Sequence, residues 1–215
     1  MENIKFCVLF DMDGVLLDTE TQYDIIWKHL GDKYDSGIEN FERVIKGTTL
    51  PNILAKYFSH LTDDEINGLT REINDFEKNM KYAEIKGAEA FVSDLKKNGV
   101  KIGMVTSSND DKLASVYKQV DFRGIMDTIV SANRITAGKP DPMCFLLAAE
   151  DLGFDPKDCI VFEDSFAGLE AGNRAGMKVI GLSTTHPKEE LDGKCFKIIP
   201  DFSGFSYKDL LDIMR

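Results

Sequence analysis

The chain lacks most of the features that would place it at a membrane, on nucleic acid or in a disulfide scaffold. No apolar run approaches the roughly 20 residues that a membrane-spanning helix needs; near the start the longest is Phe6 to Phe10. No basic stretch exceeds two residues, and the net charge is −11. That balance argues against nucleic acid and against anionic membrane surfaces as partners. The four cysteines, Cys7, Cys144, Cys159 and Cys195, form no C-x-x-C pair. Cys7 and Cys159 lie inside apolar runs, so buried small hydrophobes are expected rather than metal ligands or disulfides. The start, Met1-Glu2-Asn3, has neither a basic region nor an apolar stretch. No signal peptide is expected from it, and a cytoplasmic monomer is the resulting expectation. No internal repeat or low-complexity segment is visible.

What is present is a regular alternation. Short apolar runs at Phe6 to Phe10, Ile102 to Val105, Thr128 to Val130, Ile160 to Phe162 and Val179 to Leu182 have the near-continuous hydrophobicity of parallel strands buried on both faces. Helical patterns lie between them. One runs from Ala88 to Lys97 and stops at Asn98-Gly99; others start at Ser108, after Asp141 and near Phe166. The pattern predicts an α/β core, a Rossmann-like parallel sheet with helices on both faces. From Thr19 to Lys81 the alternation stops and only helices are predicted. Such a stretch is too long for a crossover. It is expected to be an inserted all-helical cap, residues 19–81, on a core made of 1–18 and 82–215.

The candidate chemistry sits at the ends of the predicted strands. Asp11 and Asp13, in Phe10-Asp11-Met12-Asp13-Gly14, follow the first strand directly. Ligands of open α/β sheets bind at the carboxyl ends of strands. A calcium loop starting at Asp11 would place Val15, Leu16 and Gln22 where an oxygen ligand, a glycine and a glutamate are required, so that alternative fails. A second acidic pair, Glu163-Asp164, ends another strand. If those strands are neighbours, the carboxylates crowd together, and two of them 4 Å apart repel by about 4 kcal/mol at an effective dielectric of 20. A divalent cation relieves that repulsion, and an all-oxygen donor set points to Mg²⁺ rather than zinc. Lys139 is fixed between Gly138 and Pro140, and Thr106-Ser107-Ser108 precedes a helix start, where backbone N–H groups favour anions. Small residues recur every four positions from Ala167 to Gly176, which suits a helix lying close on a sheet.

In this order the motifs resemble the haloacid dehalogenase superfamily, near β-phosphoglucomutase and the sugar-phosphate phosphatases. The motifs cover about a quarter of the chain and their spacing spans nearly all of it. The resemblance implies an Mg²⁺-dependent phosphatase acting on a small phosphate monoester, a sugar phosphate or similar metabolite. It implies Asp11 as nucleophile, forming an aspartyl-phosphate, and Asp13 as general acid and base. It assigns Mg²⁺ to the Asp11 carboxylate, the Asp13 carbonyl and Asp164, with Glu163 binding directly or through water. Thr106, Ser107 and Lys139 would hold the phosphoryl oxygens. Dehalogenases and phosphonatases lack an acid at the Asp13 position. Receiver-type phospho-switches also lack it, and they lack the helical insert. By similarity, Tyr23, Lys46 and Thr48 are expected to face the substrate. Tyr23 stands where the mutase has a histidine, and Leu50 where it has a phosphate-gripping arginine. The cap holds 12 acidic and 8 basic residues, which gives no support for a second strongly anionic group on the substrate.

Overall fold

In a computed structural model, which describes residues 6–214, the apolar runs become buried strands. Met1-Glu2-Asn3 lies outside the described residues. In chain order the elements are β1 (Cys7–Phe10), β2 (Leu17–Asp18), α1 (Glu20–Lys33), α2 (Phe41–Val44), α3 (Leu50–Tyr57), α4 (Asp63–Asn79), β3 (Ala83–Glu84), α5 (Ala88–Lys97), β4 (Lys101–Val105), α6 (Asp110–Val116), β5 (Thr128–Val130), α7 (Met143–Leu152), β6 (Cys159–Glu163), α8 (Phe166–Arg174), β7 (Lys178–Leu182), α9 (Lys188–Leu191), β8 (Lys197–Ile199) and α10 (Tyr207–Met214). Six strands form one parallel sheet in the order β5-β4-β1-β6-β7-β8. From β1 the chain fills one side of the sheet and then crosses to fill the other. The strand order therefore reverses beside β1, the place where such sheets bind ligands. Among the described residues no helix is long and apolar enough to cross a membrane.

The two faces of the sheet carry separate cores. One stacks Phe10, Phe91, Phe162 and Phe202, with ring centroids 5.1–6.0 Å apart. The other packs Leu9, Val161 and Val179 against Phe145, Leu169 and Ala171. Residues of α1 to α4 bury a third cluster of their own, including Trp27, Leu30, Phe41, Phe58, Leu69 and Ile73. The short antiparallel pair β2–β3 frames this helical insertion at both ends. A capping box between Thr62 and Glu65 starts α4.

Several local expectations are corrected. Asn109, not Ser108, caps α6, its side chain accepting the Lys112 N–H. Pro142 is the cap of α7 rather than its first residue. The glycines of the small-residue stretch have three different roles. A Cβ on Gly172 would stand 2.7 Å from Val179 and 3.5 Å from Val161, so here the helix does press on the sheet. Gly168 faces the Glu163 carboxylate. Gly176 has φ +76° and open space around it, so it ends the helix instead of packing. All four cysteines are free, with Cys7, Cys144 and Cys159 buried.

A leucine at position 172 would overfill the contact with Val161 and Val179. Gly172→Leu is expected to lower stability by about 1–3 kcal/mol, read as a lower urea midpoint, while Glu170→Ala on the exposed side leaves it nearly unchanged. An unshifted midpoint for Gly172→Leu would refute the close approach.

Candidate active site

The carboxyl end of β1 is pinned to its neighbour by the Asp11 N–H, which donates to the Phe162 carbonyl at 3.0 Å. Asp11 is only 8% exposed and Glu163 and Asp164 are almost fully buried. Each of the three offers a carboxylate oxygen, and these lie within 4.8 Å of one another. Lys139 enters this cluster on a buried side chain. Its Nζ is 2.6 Å from Asp11 Oδ1 and 2.5 Å from Glu163 Oε1. Burial alone would push the lysine down, but the charges of Asp11 and Glu163 outweigh it and hold the ammonium above its ordinary value. Burial pushes Asp11 up to about 8, against the pull of Lys139 and with help from Glu163. Asp164 is raised as well, by burial first and then by Glu163.

Three buried carboxylates face one ammonium, so keeping all three ionised would leave two uncompensated negative charges, a costly arrangement without a further cation. The donors are all oxygen, which fits a hard ion such as Mg²⁺. They are not equally free. Glu163 Oε1 is engaged by Lys139, and Oε2 accepts from the Asp164 and Ser165 N–H groups and the Ser165 hydroxyl. Asp11 and Asp164 remain the open carboxylates. Thr185 donates to Asp164 Oδ2, and Gly14, at φ +74°, lies against the same carboxylate where any side chain would collide.

Asp13 opens on the same cavity as Asp11 and Asp164. It accepts from the Thr19 hydroxyl at 2.5 Å, the Ser108 hydroxyl at 3.1 Å and Lys112 Nζ at 2.6 Å. Thr106 is buried behind this point, its oxygen accepting the Ser108 N–H at 3.0 Å. Ser107 reaches forward, its hydroxyl donating to the Gly47 carbonyl at 2.9 Å, which ties the core loop to the turn of the helical insertion. Thr106 itself does not line the cavity, whereas Ser107 and Ser108 do.

The helical insertion supplies the other wall. Tyr23, Lys46 and Thr48 all line the cavity, together with Glu20, Trp27, Glu42 and Glu77. Its volume is about 360 Å³. The insertion meets the core through glycines. Gly47, at φ +75°, lies against Ser165, and Gly138 of the lysine loop lies against Thr49. Tyr23 donates to Glu77 at 2.8 Å, so its hydroxyl points away from any acid–base role of its own. Lys46 is held at 2.5 Å by Glu20 and 2.6 Å by Asp24. Leu50 lines the cavity, and Arg43 is exposed outside it.

Sequence reasoning missed Lys112, Thr19 and Thr185. Lysine in a helix is ordinarily a solvated charge, yet Lys112 is 3% exposed, bonded to Asp13 and 4.4 Å above the Tyr23 ring. Threonines near strand ends carry no signal of their own. Only the fold shows that Thr19 and Thr185 close on Asp13 and Asp164.

Comparison with known proteins agrees with this arrangement. A family model described as haloacid dehalogenase-like hydrolase matches residues 8–182. The chain is 30% identical over 190 residues to a validoxylamine A 7'-phosphate phosphatase of Streptomyces hygroscopicus subsp. limoneus, covering 85% of this chain and 88% of that one. It is 27% identical over 192 residues to a β-phosphoglucomutase of Bacillus subtilis, covering 84% of each. A crystal structure of a HAD hydrolase, family IA, variant 3, from Entamoeba histolytica superposes with a TM-score of 0.81 at 23% identity, over 97% of this chain and 99% of that one, which establishes a common fold. With the family match spanning both acidic pairs and the lysine between them, the chain belongs to the haloacid dehalogenase-like hydrolases.

Proposed function

We propose that this hydrolase is an Mg²⁺-dependent phosphatase of small phosphate monoesters, working through an aspartyl-phosphate on Asp11. The observation that carries this reading is the placement of Asp11 and Asp13 on one cavity, with Lys139 buried against the first. Residues 1–18 and 82–215 would form the catalytic core and 19–81 the cap, in keeping with the separate hydrophobic cluster of the helical insertion.

Asp11 attacks phosphorus in line, forming the acyl-phosphate bond as the bond to the leaving alkoxide breaks. Asp13 gives its proton to that alkoxide. It then takes a proton from the water that hydrolyses the acyl-phosphate, which restores both carboxyl groups. Lys139, Ser107 and the loop N–H groups meet the phosphoryl oxygens as charge develops. Thr106 acts from behind, through the Ser108 N–H it accepts. Asp11, Asp164 and the Asp13 carbonyl would hold Mg²⁺. Glu163 is better suited to orient Lys139 and the Asp164 loop than to ligate, because both its oxygens are taken. When bound, Mg²⁺ supplies the positive charge that keeps Asp11 and Asp164 ionised and shields the incoming phosphate.

The mutase alternative requires a second phosphate grip in the cap. Leu50 has no charge to offer, and the Lys46 ammonium is already shared by two carboxylates. The phospho-switch alternative has no use for Asp13 or for a roofed cavity. A likeness to a phosphatase of a phosphorylated natural product supports the hydrolytic reading.

Asp11→Asn is expected to lower p-nitrophenyl phosphate turnover by about 10³-fold or more, with an unchanged circular dichroism spectrum. A kcat within a few-fold of wild type would sink the mechanism. Turnover is also expected to disappear in excess chelator and return with Mg²⁺, and Asp164→Ala to weaken that rescue strongly; full activity in chelator would remove the metal from the account. With β-glucose 1-phosphate and a trace of the 1,6-bisphosphate, inorganic phosphate is expected to appear faster than glucose 6-phosphate. The reverse order would favour the mutase.

A further inference from the structure

We propose that the cavity sorts phosphate esters by the charge of their alcohol, accepting neutral and amine-bearing leaving groups and excluding those with a second anion. This rests on the phosphatase reading above and concerns the wall that faces away from Asp11.

That wall brings three carboxylates to the cavity, Glu20, Glu42 and Glu77. The described cations that line it are two, and neither has charge to spare. Lys46 has a side chain only 8% exposed and is shared between Glu20 and Asp24. Lys112 is bound to Asp13 and covers the Tyr23 ring. Glu77 accepts the Tyr23 hydroxyl, and burial pushes its carboxyl above the usual range against the pull of Lys112. Glu42 has no ion pair or hydrogen bond among the described residues. Taking the lining residues Glu20, Glu42 and Glu77 against Lys46, the wall carries two net negative charges when all are ionised, and burial raises the carboxyls of Glu20 and Glu77. Among the described residues no arginine lines the cavity.

The consequences for a ligand follow from this pattern. Carboxylates only accept hydrogen bonds, so the wall suits an alcohol rich in donors, either hydroxyl or ammonium groups. Trp27, Ile45 and Leu50 add an apolar face against which a ring can lie. A second phosphate or carboxylate would enter a confined site of its own sign, where repulsion is poorly screened. Among the described residues it would also find no free cation, because recruiting Lys46 would strip Glu20 and Asp24 of theirs.

The test uses the intact enzyme at saturating Mg²⁺, with p-nitrophenyl phosphate as reporter. Three compounds that share a six-carbon chain and a 6-phosphate are compared: glucosamine 6-phosphate, glucose 6-phosphate and 6-phosphogluconate. Both kcat/KM and the inhibition constant against the reporter are measured, with glucose 1,6-bisphosphate and inorganic pyrophosphate as further anions. The amine and the neutral sugar are expected to act or inhibit at least about tenfold more effectively than 6-phosphogluconate and the two further anions. Glu42→Gln is expected to narrow the gap between glucose 6-phosphate and 6-phosphogluconate several-fold, and Glu42→Lys to narrow it further. Equal behaviour of the three compounds, or preference for any of the anions, overturns the charge sorting while reporter turnover leaves the phosphatase reading standing. Absence of reporter turnover overturns the phosphatase reading and this inference with it.

Discussion

A single ammonium, that of Lys139, lies buried between two carboxylates, and much of the surrounding architecture can be understood as what makes that tolerable. Burying a charge is costly unless it is paired and its remaining hydrogen bonds are met. Lys139 meets Asp11 and Glu163, and Glu163 in turn takes the N–H groups of Asp164 and Ser165. The result is a rigid chain of contacts joining the ends of β1 and β6 to the loop before α7. Removing the lysine would leave three buried carboxylates with no protein cation among them. Together Asp11, Glu163 and Asp164 form a cluster that could hold a hard divalent cation.

The sheet order explains why these groups meet. β1 lies between β4 and β6, so loops that are far apart in sequence end side by side. Phe10, Leu9 and Val8 are wholly buried, and their burial fixes where Asp11 emerges. Close approach of α8 at Gly168 and Gly172 then brings the Glu163–Ser165 loop within reach of Lys139. Small residues here act on chemistry only through distance. A bulkier helix face would lift the loop off the sheet and loosen contacts of 2.5–3.0 Å.

How much of this could be seen in the sequence depended on whether a residue type was out of character with its surroundings. Aspartates directly after an apolar run, an acidic pair ending another run and a lysine between glycine and proline are such departures, and the structure gathers Asp11, Glu163, Asp164 and Lys139 at one point. The five expected strands are present. β8 was missed because Lys197-Ile198-Ile199 is short and its edge position needs little apolar length. Lys112 was illegible for the opposite reason: it looks like any helical lysine until the fold buries it. The cap of α6 was misplaced by one residue because Ser108 and Asn109 are both good caps, and Ser108 is drawn instead to Asp13.

The helical insertion brings Lys46 to the cavity already paired with two carboxylates. Gly47 and Gly138 let backbone pass close to Ser165 and Thr49, and Ser107 bonds the Gly47 carbonyl. This contact places the Lys46-Gly47-Thr48 turn directly over the acidic cluster. An unpaired lysine there would compete with Lys139 for Asp11. Pairing Lys46 with Glu20 and Asp24 removes that competition and keeps the turn tightly packed. The same pairing leaves the far wall rich in acceptors and poor in cations. In this arrangement the core loops carry Asp11, Asp164 and Lys139, and the helices bring Glu20, Glu42 and Glu77 to the opposite wall of the cavity.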